Sequence, residues 1–147
     1  SGSDLVPLTT TELNAFKVYV EAYRPAGVAI VIYNKVADLI RTTVNVVYDP
    51  LLLDSTGLRT DGSGYPVKEA AQLYPTQLEF DGEFVTAGFV DSMQAAVGVS
   101  NRKVQIVSIE RKTEAGTWQN VGISFVPEAG YCKFDTNGLT INYTASV

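Results

Sequence analysis

The stretch YPVKEAAQLYPTQLEFDGEFVTAGFVDSMQAAVGV, residues 65–99, decides the predicted fold of this 147-residue chain. Two successive runs within it place apolar side chains at the spacing of one helix face, and the turn at Asp81 and Gly82 separates them. The stretch contains no nucleophile paired with a base and no cluster of metal ligands. We therefore predict a pair of helices that packs and positions other elements and performs no chemistry itself.

The two helices of this pair differ in their sequence signals. In the first, Pro66 suits the opening turn, but Pro75 removes a backbone hydrogen bond and predicts a kink or an early stop near residues 72–74. The second helix is expected over roughly residues 85–97, and Gly98 suits a left-handed C-terminal cap. The predicted apolar faces are Val67, Ala70, Ala71, Tyr74 and Leu78 in the first helix and Val85, Phe89, Val90, Met93 and Val97 in the second.

A further helix is predicted near the start of the chain, over residues 10–24. The run Thr9-Thr10-Thr11-Glu12 offers a capping box, and the residue before Pro25 is disfavoured in a helix. Five tyrosines are expected in the core, because they fall on apolar stripes or apolar strands: Tyr19, Tyr23, Tyr33, Tyr48 and Tyr74.

Two strands are predicted between this helix and the central pair. Residues 28–33, VAIVIY, are apolar on both faces and rich in β-branched side chains, which is typical of a central strand. After a turn at Asn34 and Lys35, residues 39–48 alternate between an apolar and a mixed face, and the strand ends at Asp49. One of its faces should be buried and the other half exposed.

The remainder of the chain predicts β-structure. Strands are expected over residues 104–109, 118–126, 131–134 and 139–144, with turns over 113–117, 127–130 and 135–138. The order of helix, two strands, two helices and about four strands predicts an α+β domain. In it, three helices pack on a mixed or antiparallel sheet of about five to six strands.

The chain is predicted to contain one domain. Ser1, Gly2 and Ser3 resemble a cloning remnant, which leaves residues 4–147 as a single α+β domain. Within it, residues 10–110 form the helix and strand core and residues 111–147 the C-terminal strands. Because the chain does not begin with Met, we expect it to be a fragment of a longer protein.

Composition argues against several functional classes. The net charge of −5, with scattered basic residues, argues against nucleic-acid binding, and the apolar runs are too short to span a membrane. Histidine is absent, so the lone Cys132 has no histidine partner for nucleophilic catalysis within the chain. Cys132 is expected to be half-buried in a strand.

The acidic, glycine-rich loop over residues 54–64 is the best candidate for a ligand site. Asp54, Ser55, Asp61 and Ser63 offer oxygen atoms to a hard cation, but their spacing differs from that of a calcium loop. The Gly-Ser-Gly tripeptide at the end of the loop precedes a helix, yet it matches neither the Walker pattern nor the dinucleotide fingerprint. A solvated loop is the simpler interpretation.

Other candidate residues also have simpler structural interpretations. Asp81 and Glu83 suit a solvated turn, and Glu69 and Glu79 are too far apart in sequence to act as a metal-binding pair. A glycan-binding platform would need exposed aromatic side chains such as Tyr65, Trp118 and Tyr131. We therefore assign no catalytic, cofactor-binding or metal-ligating residues, and no cofactor.

Several motifs occur in a distinctive order between residues 10 and 110. A valine-rich strand follows Pro25-Ala26-Gly27-Val28, and the alternating strand comes next. A helix over 67–78 is then followed by the turn Asp81-Gly82-Glu83-Phe84-Val85 and the helical run Phe89-Val90-Asp91-Ser92-Met93. Gly98-Val99 precedes the strand over 104–109. This order resembles the baseplate J-like family of contractile-tail phages and related injection machines. A weaker match to the pattern of this family occurs at residues 127–130.

The resemblance implies a structural protein that brings no catalytic residues. We expect a component of a phage or prophage tail baseplate wedge, located in the virion or, during assembly, in the bacterial cytoplasm. Its partners would be other baseplate subunits, including copies of itself, bound through apolar surfaces or unpaired sheet edges. Two alternatives stay open: a nucleotidyltransferase-like enzyme that uses the loop from Asp54 to Gly64, and a glycan-binding or adhesin-like module.

Overall fold

A computed structural model describes residues 6–147, which form an α+β fold as predicted. The predicted remnant at residues 1–3 lies outside the described residues. The helices are α1 (Thr10–Tyr23), α2 (Pro66–Gln77) and α3 (Thr86–Gln94). The strands are β1 (Asp38–Tyr48), β2 (Phe84–Val85), β3 (Val99–Lys112), β4 (Gln119–Asn120), β5 (Ser124–Phe125) and β6 (Cys132–Ala145).

A four-stranded mixed sheet, in the order β4-β3-β1-β6, forms the centre of the fold. β1 pairs antiparallel with β3 and parallel with β6. β2 and β5 form a separate antiparallel pair. The main sheet therefore has slightly fewer strands than the predicted five to six, because residues 28–33 and β5 lie outside it and the last two predicted strands form one.

The core lies between one face of this sheet and the helices α2 and α3. Side chains at alternate positions of β1 are buried, which confirms the predicted alternation, and α2 and α3 pack on each other and on β6 and β3. Phe84 and Phe89 are fully buried, with ring centroids 5.5 Å apart. Tyr74 meets Phe84 edge-on at 5.1 Å, so an aromatic cluster joins the two helices to the sheet.

α2 continues past Pro75, so the predicted early stop near residues 72–74 is wrong. Pro75 lies in the last turn of the helix, where the carbonyl of Ala71 loses its amide partner and little helix remains to be disrupted. The ring of Pro75 is also buried, so packing favours the helical position. Pro66 occupies the first turn, as predicted.

α3 is shorter at both ends than the predicted helix over residues 85–97. Val85 belongs to the two-stranded ribbon and precedes the helix. Phe89 and Met93 are buried as predicted, whereas Val97 lies beyond the helix and is 49% exposed. Gly98 has the predicted positive φ, at 90°, but it lies in the turn that leads into β3 and does not cap the helix.

The predicted strand over residues 118–126 is divided into β4 and β5. Between them the chain turns toward the start of α3, where the Thr86 hydroxyl donates to the carbonyl oxygens of Gly122 at 3.3 Å and Ile123 at 2.8 Å. The amide of Thr86 also donates to the carbonyl of Ile123 at 2.9 Å. These bonds hold residues 122–123 beside the start of α3 instead of along the edge of the main sheet.

Residues 131–134 and 139–144, predicted as separate strands, belong to the single strand β6. β1 pairs with both halves, and a register shift opposite Ile40 and Thr42 accommodates the residues predicted as a turn. The other two predicted turns form, with Gly116 donating to Thr113 at 3.1 Å and Gly130 donating to Pro127 at 3.0 Å.

Residues 28–33 do not form the predicted central strand. They are extended and lie outside the sheet, and no turn follows them at residues 34–35. Three of the five tyrosines expected in the core are exposed as well, at 60% for Tyr19, 74% for Tyr23 and 69% for Tyr33. Tyr48 is buried as predicted, and Tyr74 is half-buried and packs against the core.

Candidate interaction surface

The N-terminal arm, residues 6–36, lies outside the core of the fold. None of its residues is buried, and residues 21–31 are all exposed. It carries just over half of the large exposed apolar side chains among the described residues: Val6, Leu8, Phe16, Val18, Tyr19, Tyr23, Val28, Ile30, Val31, Tyr33 and Val36. A concentration of exposed apolar side chains of this kind is typical of a site that binds another macromolecule.

The arm consists of α1 and the extended segment 28–33, which lie side by side. The capping box predicted for α1 forms, because Thr9 Oγ1 accepts from the amide of Glu12 at 3.3 Å and the Glu12 carboxylate accepts from the amide of Thr9 at 2.9 Å. A shallow cleft of about 270 Å³ between helix and segment is lined by Lys17, Val20, Glu21, Arg24, Ile30 and Ile32.

Asn34 joins the two ends of the arm. Its side-chain nitrogen donates to the carbonyl of Leu8 at 2.9 Å, and its side-chain oxygen accepts from the amide of Leu8 at 2.7 Å. Because both ends are held, the segment 28–33 has a defined path along the helix.

Most backbone amide and carbonyl groups of this segment have no hydrogen-bond partner among the described residues. The amide of Val28 donates to Pro25 at 3.2 Å, and the carbonyl of Val28 accepts from Arg24 at 3.4 Å. Within residues 6–147, the backbone groups of residues 29–33 have no hydrogen-bond partner. An extended, β-branched segment in this state is suited to pair with a strand edge.

The arm leaves the body of the fold at a fixed point. Lys35 forms an ion pair with Glu128 at 3.2 Å, and its carbonyl accepts from the Tyr131 hydroxyl at 3.1 Å. The buried carboxylate of Asp38 accepts from the amides of Glu128 at 2.9 Å and Ala129 at 3.2 Å. These contacts tie the arm to the turn that precedes β6.

The main sheet has two open edges among the described residues. β6 forms one edge, and β3 forms much of the other, because β4 covers β3 only at Glu110 and Arg111. The outer edge of β3 over residues 104–109 is therefore open, apart from one bond from the amide of Val121 to the carbonyl of Ile109 at 2.9 Å. Open edges with unpaired backbone groups are templates for another strand.

A groove of about 440 Å³ lies along the open part of β3, where the chain leaves β4. None of its lining residues is charged, and Val107 at the bulge in β3 is 58% exposed. The lining residues are Thr86, Ile106, Val107, Ser108, Ile109, Asn120, Val121 and Gly122. The groove therefore combines apolar side chains with an open strand edge.

The loop over residues 54–64 uses its carboxylates for its own structure. Asp54 accepts from the amide and hydroxyl of Thr56, at 2.8 and 2.7 Å, and Asp61 accepts from the amide of Ser63 at 2.8 Å. The hydrogen bonds from the Thr56 and Ser63 side chains are the main reason that the pKa of each carboxyl lies below its ordinary value. In the part of the chain that the structure describes, no group of three or more acidic, histidine or cysteine side chains is arranged to hold a metal.

The remaining acidic candidates also have local partners or lie in solvent. Asp81 and Glu83 are exposed in the turn, and Glu83 accepts a hydrogen bond from the Ser124 hydroxyl. Glu69 accepts from the amide of Tyr65 at 3.0 Å, and Glu79 is exposed. The structure therefore gives each of these residues a structural or solvated position.

The three aromatic candidates have different neighbours. The guanidinium of Arg41 lies 4.3 Å from the ring centroid of Trp118, and the ammonium of Lys68 lies 5.9 Å from that of Tyr65. The hydroxyl of Tyr131 is bonded to the root of the arm. Cations thus lie over two of the three rings that a glycan platform would need.

Cys132 lies at the start of β6, in a strand as predicted, but it is buried in the core and not half-buried. Burial raises the pKa of its thiol to about 12, and the nearby carboxylate of Asp38 adds to the shift. A thiol in this environment is a packing residue and a poor nucleophile.

No protein-family model, curated protein or solved structure matches this chain. The resemblance to the baseplate J-like family therefore rests on the sequence motifs alone. None of the helices among residues 6–147 is long and apolar enough to cross a membrane.

Sequence reasoning did not identify the arm as a separate unit. The apolar side chains of α1 form one stripe, Leu13, Phe16, Tyr19, Val20 and Tyr23, with Val18 on another side, so periodicity gave no signal that this helix lies outside the core. The groove along β3 had no sequence signal, since it arises from the turn of the chain toward Thr86.

Proposed function

We propose that this domain is a structural component of the tail baseplate of a contractile phage or prophage, or of a related injection system. It works by docking on neighbouring subunits through its N-terminal arm, in the virion or, before that, in the bacterial cytoplasm during assembly. The order of sequence motifs supports the baseplate setting, and the exposed arm supports docking as the mechanism.

The observation that carries the proposal is the apolar surface of the arm. Four of its side chains, Val18, Tyr23, Val31 and Tyr33, are each at least 69% exposed. Because fully burying one large apolar side chain stabilises by about 1.5–3 kcal/mol and these four are about 70% exposed, covering them contributes roughly 4–8 kcal/mol. A free subunit leaves these side chains exposed to water, whereas an assembled subunit gains the free energy of burying them.

The same magnitudes indicate how the subunit binds. Association costs about 4–15 kcal/mol in lost translational and rotational freedom. One docked arm therefore gives weak or moderate affinity by itself. A symmetric assembly overcomes this limit, since each subunit is held by several such contacts at once.

Deletion of the encoding gene tests the proposal in the organism that carries it. Tail particles are purified after induction and imaged by negative-stain electron microscopy. We expect tail tubes that lack baseplates, and restoration of the baseplates when the natural gene is supplied. Normal baseplates in the deletion strain would contradict the baseplate function.

A complementation series tests the role of the arm separately. The double variant Val31→Asp/Tyr33→Asp places charge on the exposed face of the arm and should fail to restore baseplates. Leu51→Asp is the matched control, because Leu51 is 82% exposed but lies outside the arm. Restoration by the arm variant would contradict docking through this surface.

A further inference from the structure

We propose that segment 28–33 of one copy binds as an added strand along the outer edge of β3 in a second copy of this chain. This pairing rests on the proposed assembly function and names its partner and its contact surface. The two surfaces that would meet are both open in the structure.

The segment has the properties of a strand that lacks a sheet. It is six residues long, it is already extended, and the backbone groups of residues 29–33 have no partner among the described residues. Its side chains are apolar on both faces, as in strands that are covered on both sides. Strand formation therefore requires an edge and apolar surface from a partner.

The groove along β3 offers both requirements. Residues 104–109 of β3 match the six residues of the segment in length, and their outer edge is open except at Ile109. Ile106, Val107 and Val121 supply apolar side chains on the groove wall. Neither the segment nor the groove lining contains a charged residue, so pairing removes no charge from water.

The alternative edge, β6, is a poorer match. Five of its six exposed side chains are polar, Thr136, Asn137, Thr140, Asn142 and Thr144, and the sixth is Ala145. An apolar strand added there would leave one of its faces against these polar side chains and water. Over residues 104–109, β3 exposes Val107 beside Gln105 and Ser108 and adjoins the groove, and we therefore assign β3 as the acceptor.

We assign a second copy of this chain as the partner because one chain carries both surfaces, segment 28–33 and the groove along β3, and keeps them apart. Segment 28–33 is exposed, and the root of the arm is held by Glu128 and Tyr131. Charge favours the exchange as well. The arm has three basic and two acidic residues, whereas residues 37–147 have eight basic and thirteen acidic residues, so arm and body carry opposite net charge.

Sedimentation of the full chain, from about 1 µM to about 1 mM, tests the pairing over the range expected for modest interfaces. We expect the mass to rise with concentration from the 15.9 kDa monomer. Ile30→Pro removes a backbone donor from the arm, and Val107→Lys places a charge in the groove. Each variant alone should stay monomeric, and Leu51→Lys, at an exposed site outside both surfaces, should associate like the natural chain.

Mixing the two monomeric variants is the decisive step. The Ile30→Pro copy keeps an intact groove and the Val107→Lys copy keeps an intact arm, so one contact can form and the mixture should associate. Circular dichroism first verifies that both variants fold, and Ile123→Lys, at an 82% exposed site beside the groove, replaces Val107→Lys if that variant does not.

Three results would overturn the pairing: a natural chain that is monomeric throughout, an Ile30→Pro variant that associates normally, or a mixture that stays monomeric. Any of these, combined with failure of the arm variant to restore baseplates, would show that the arm docks on a different subunit. The baseplate proposal itself would then stand.

Discussion

Two substitutions of phenylalanine by alanine should separate the body of the fold from the arm. Phe89 is fully buried, and its ring lies 5.5 Å from Phe84, 5.8 Å from Tyr74 and 6.0 Å from Phe134. Phe16 lies in α1, which has no buried residue. The chemical change is the same in both variants, so any difference in stability reports the surroundings.

The expected difference is large. Truncating a buried phenylalanine leaves a cavity and lowers the free energy of unfolding by about 3–5 kcal/mol. A surface substitution outside the cooperative core changes it by about 0.5 kcal/mol or less. For a chain of this length, Phe89→Ala should lower the midpoint of thermal unfolding by roughly 6–20 °C, and Phe16→Ala should leave it nearly unchanged.

Urea denaturation at low protein concentration is the appropriate assay, because association would otherwise add to the stability. The dependence of the unfolding free energy on urea should be the same for both variants and the natural chain. A cost above about 1.5 kcal/mol for Phe16→Ala would refute the separation of arm and core. A cost below about 1 kcal/mol for Phe89→Ala would refute the assignment of the core.

Cys132, whose thiol pKa is raised to about 12 by burial, should react slowly with iodoacetamide in the folded protein and rapidly in urea. The pKa of Glu12 is lowered, chiefly by the hydrogen bond from the amide that begins α1. Its stabilising effect is therefore complete above the ordinary glutamate pKa and is lost as the pH falls through the lowered value, so helical circular dichroism should decrease in acid. Gly57 and Gly62 have φ values of 82° and 77°, but an added methyl group overlaps the ring of Tyr143 only at Gly57. Gly57→Ala should lower the free energy of unfolding by about 1–3 kcal/mol more than Gly62→Ala.

Each of these outcomes has a clear contrary result. Equal alkylation rates in the folded and unfolded protein would show that Cys132 is accessible. Helical signal that does not change in acid would show that the capping box contributes nothing to α1. Equal costs for the two glycine variants would show that the Tyr143 ring does not restrict the loop.

The elements that sequence periodicity predicted well are those whose partners lie in the core. The alternation in β1 and the buried positions Phe89 and Met93 were predicted, because burial on one side leaves a regular pattern in the sequence. The predicted stop at Pro75 was wrong because a proline in the last turn of a helix disrupts little of it. Local rules describe such elements well.

Elements that depend on distant partners were not predictable in this way. Residues 28–33 have the composition of a central strand, but a strand also needs a neighbouring edge, and no local signal states whether one is available in the same chain. Tyr23 and Tyr33 were assigned to the core for the same reason. β6 was divided in the prediction because a turn signal cannot show that β1 continues to pair across it.

Amide hydrogen exchange of residues 28–33, followed by mass spectrometry as a function of protein concentration, tests most directly whether the arm is an unpaired strand that awaits a partner. In dilute protein we predict exchange near the rate of an unstructured peptide, while residues 42–46 of β1 stay protected. At high concentration residues 28–33 should become protected together with the outer edge of β3. Protection of residues 28–33 equal to that of β1 in the dilute monomer would contradict the account.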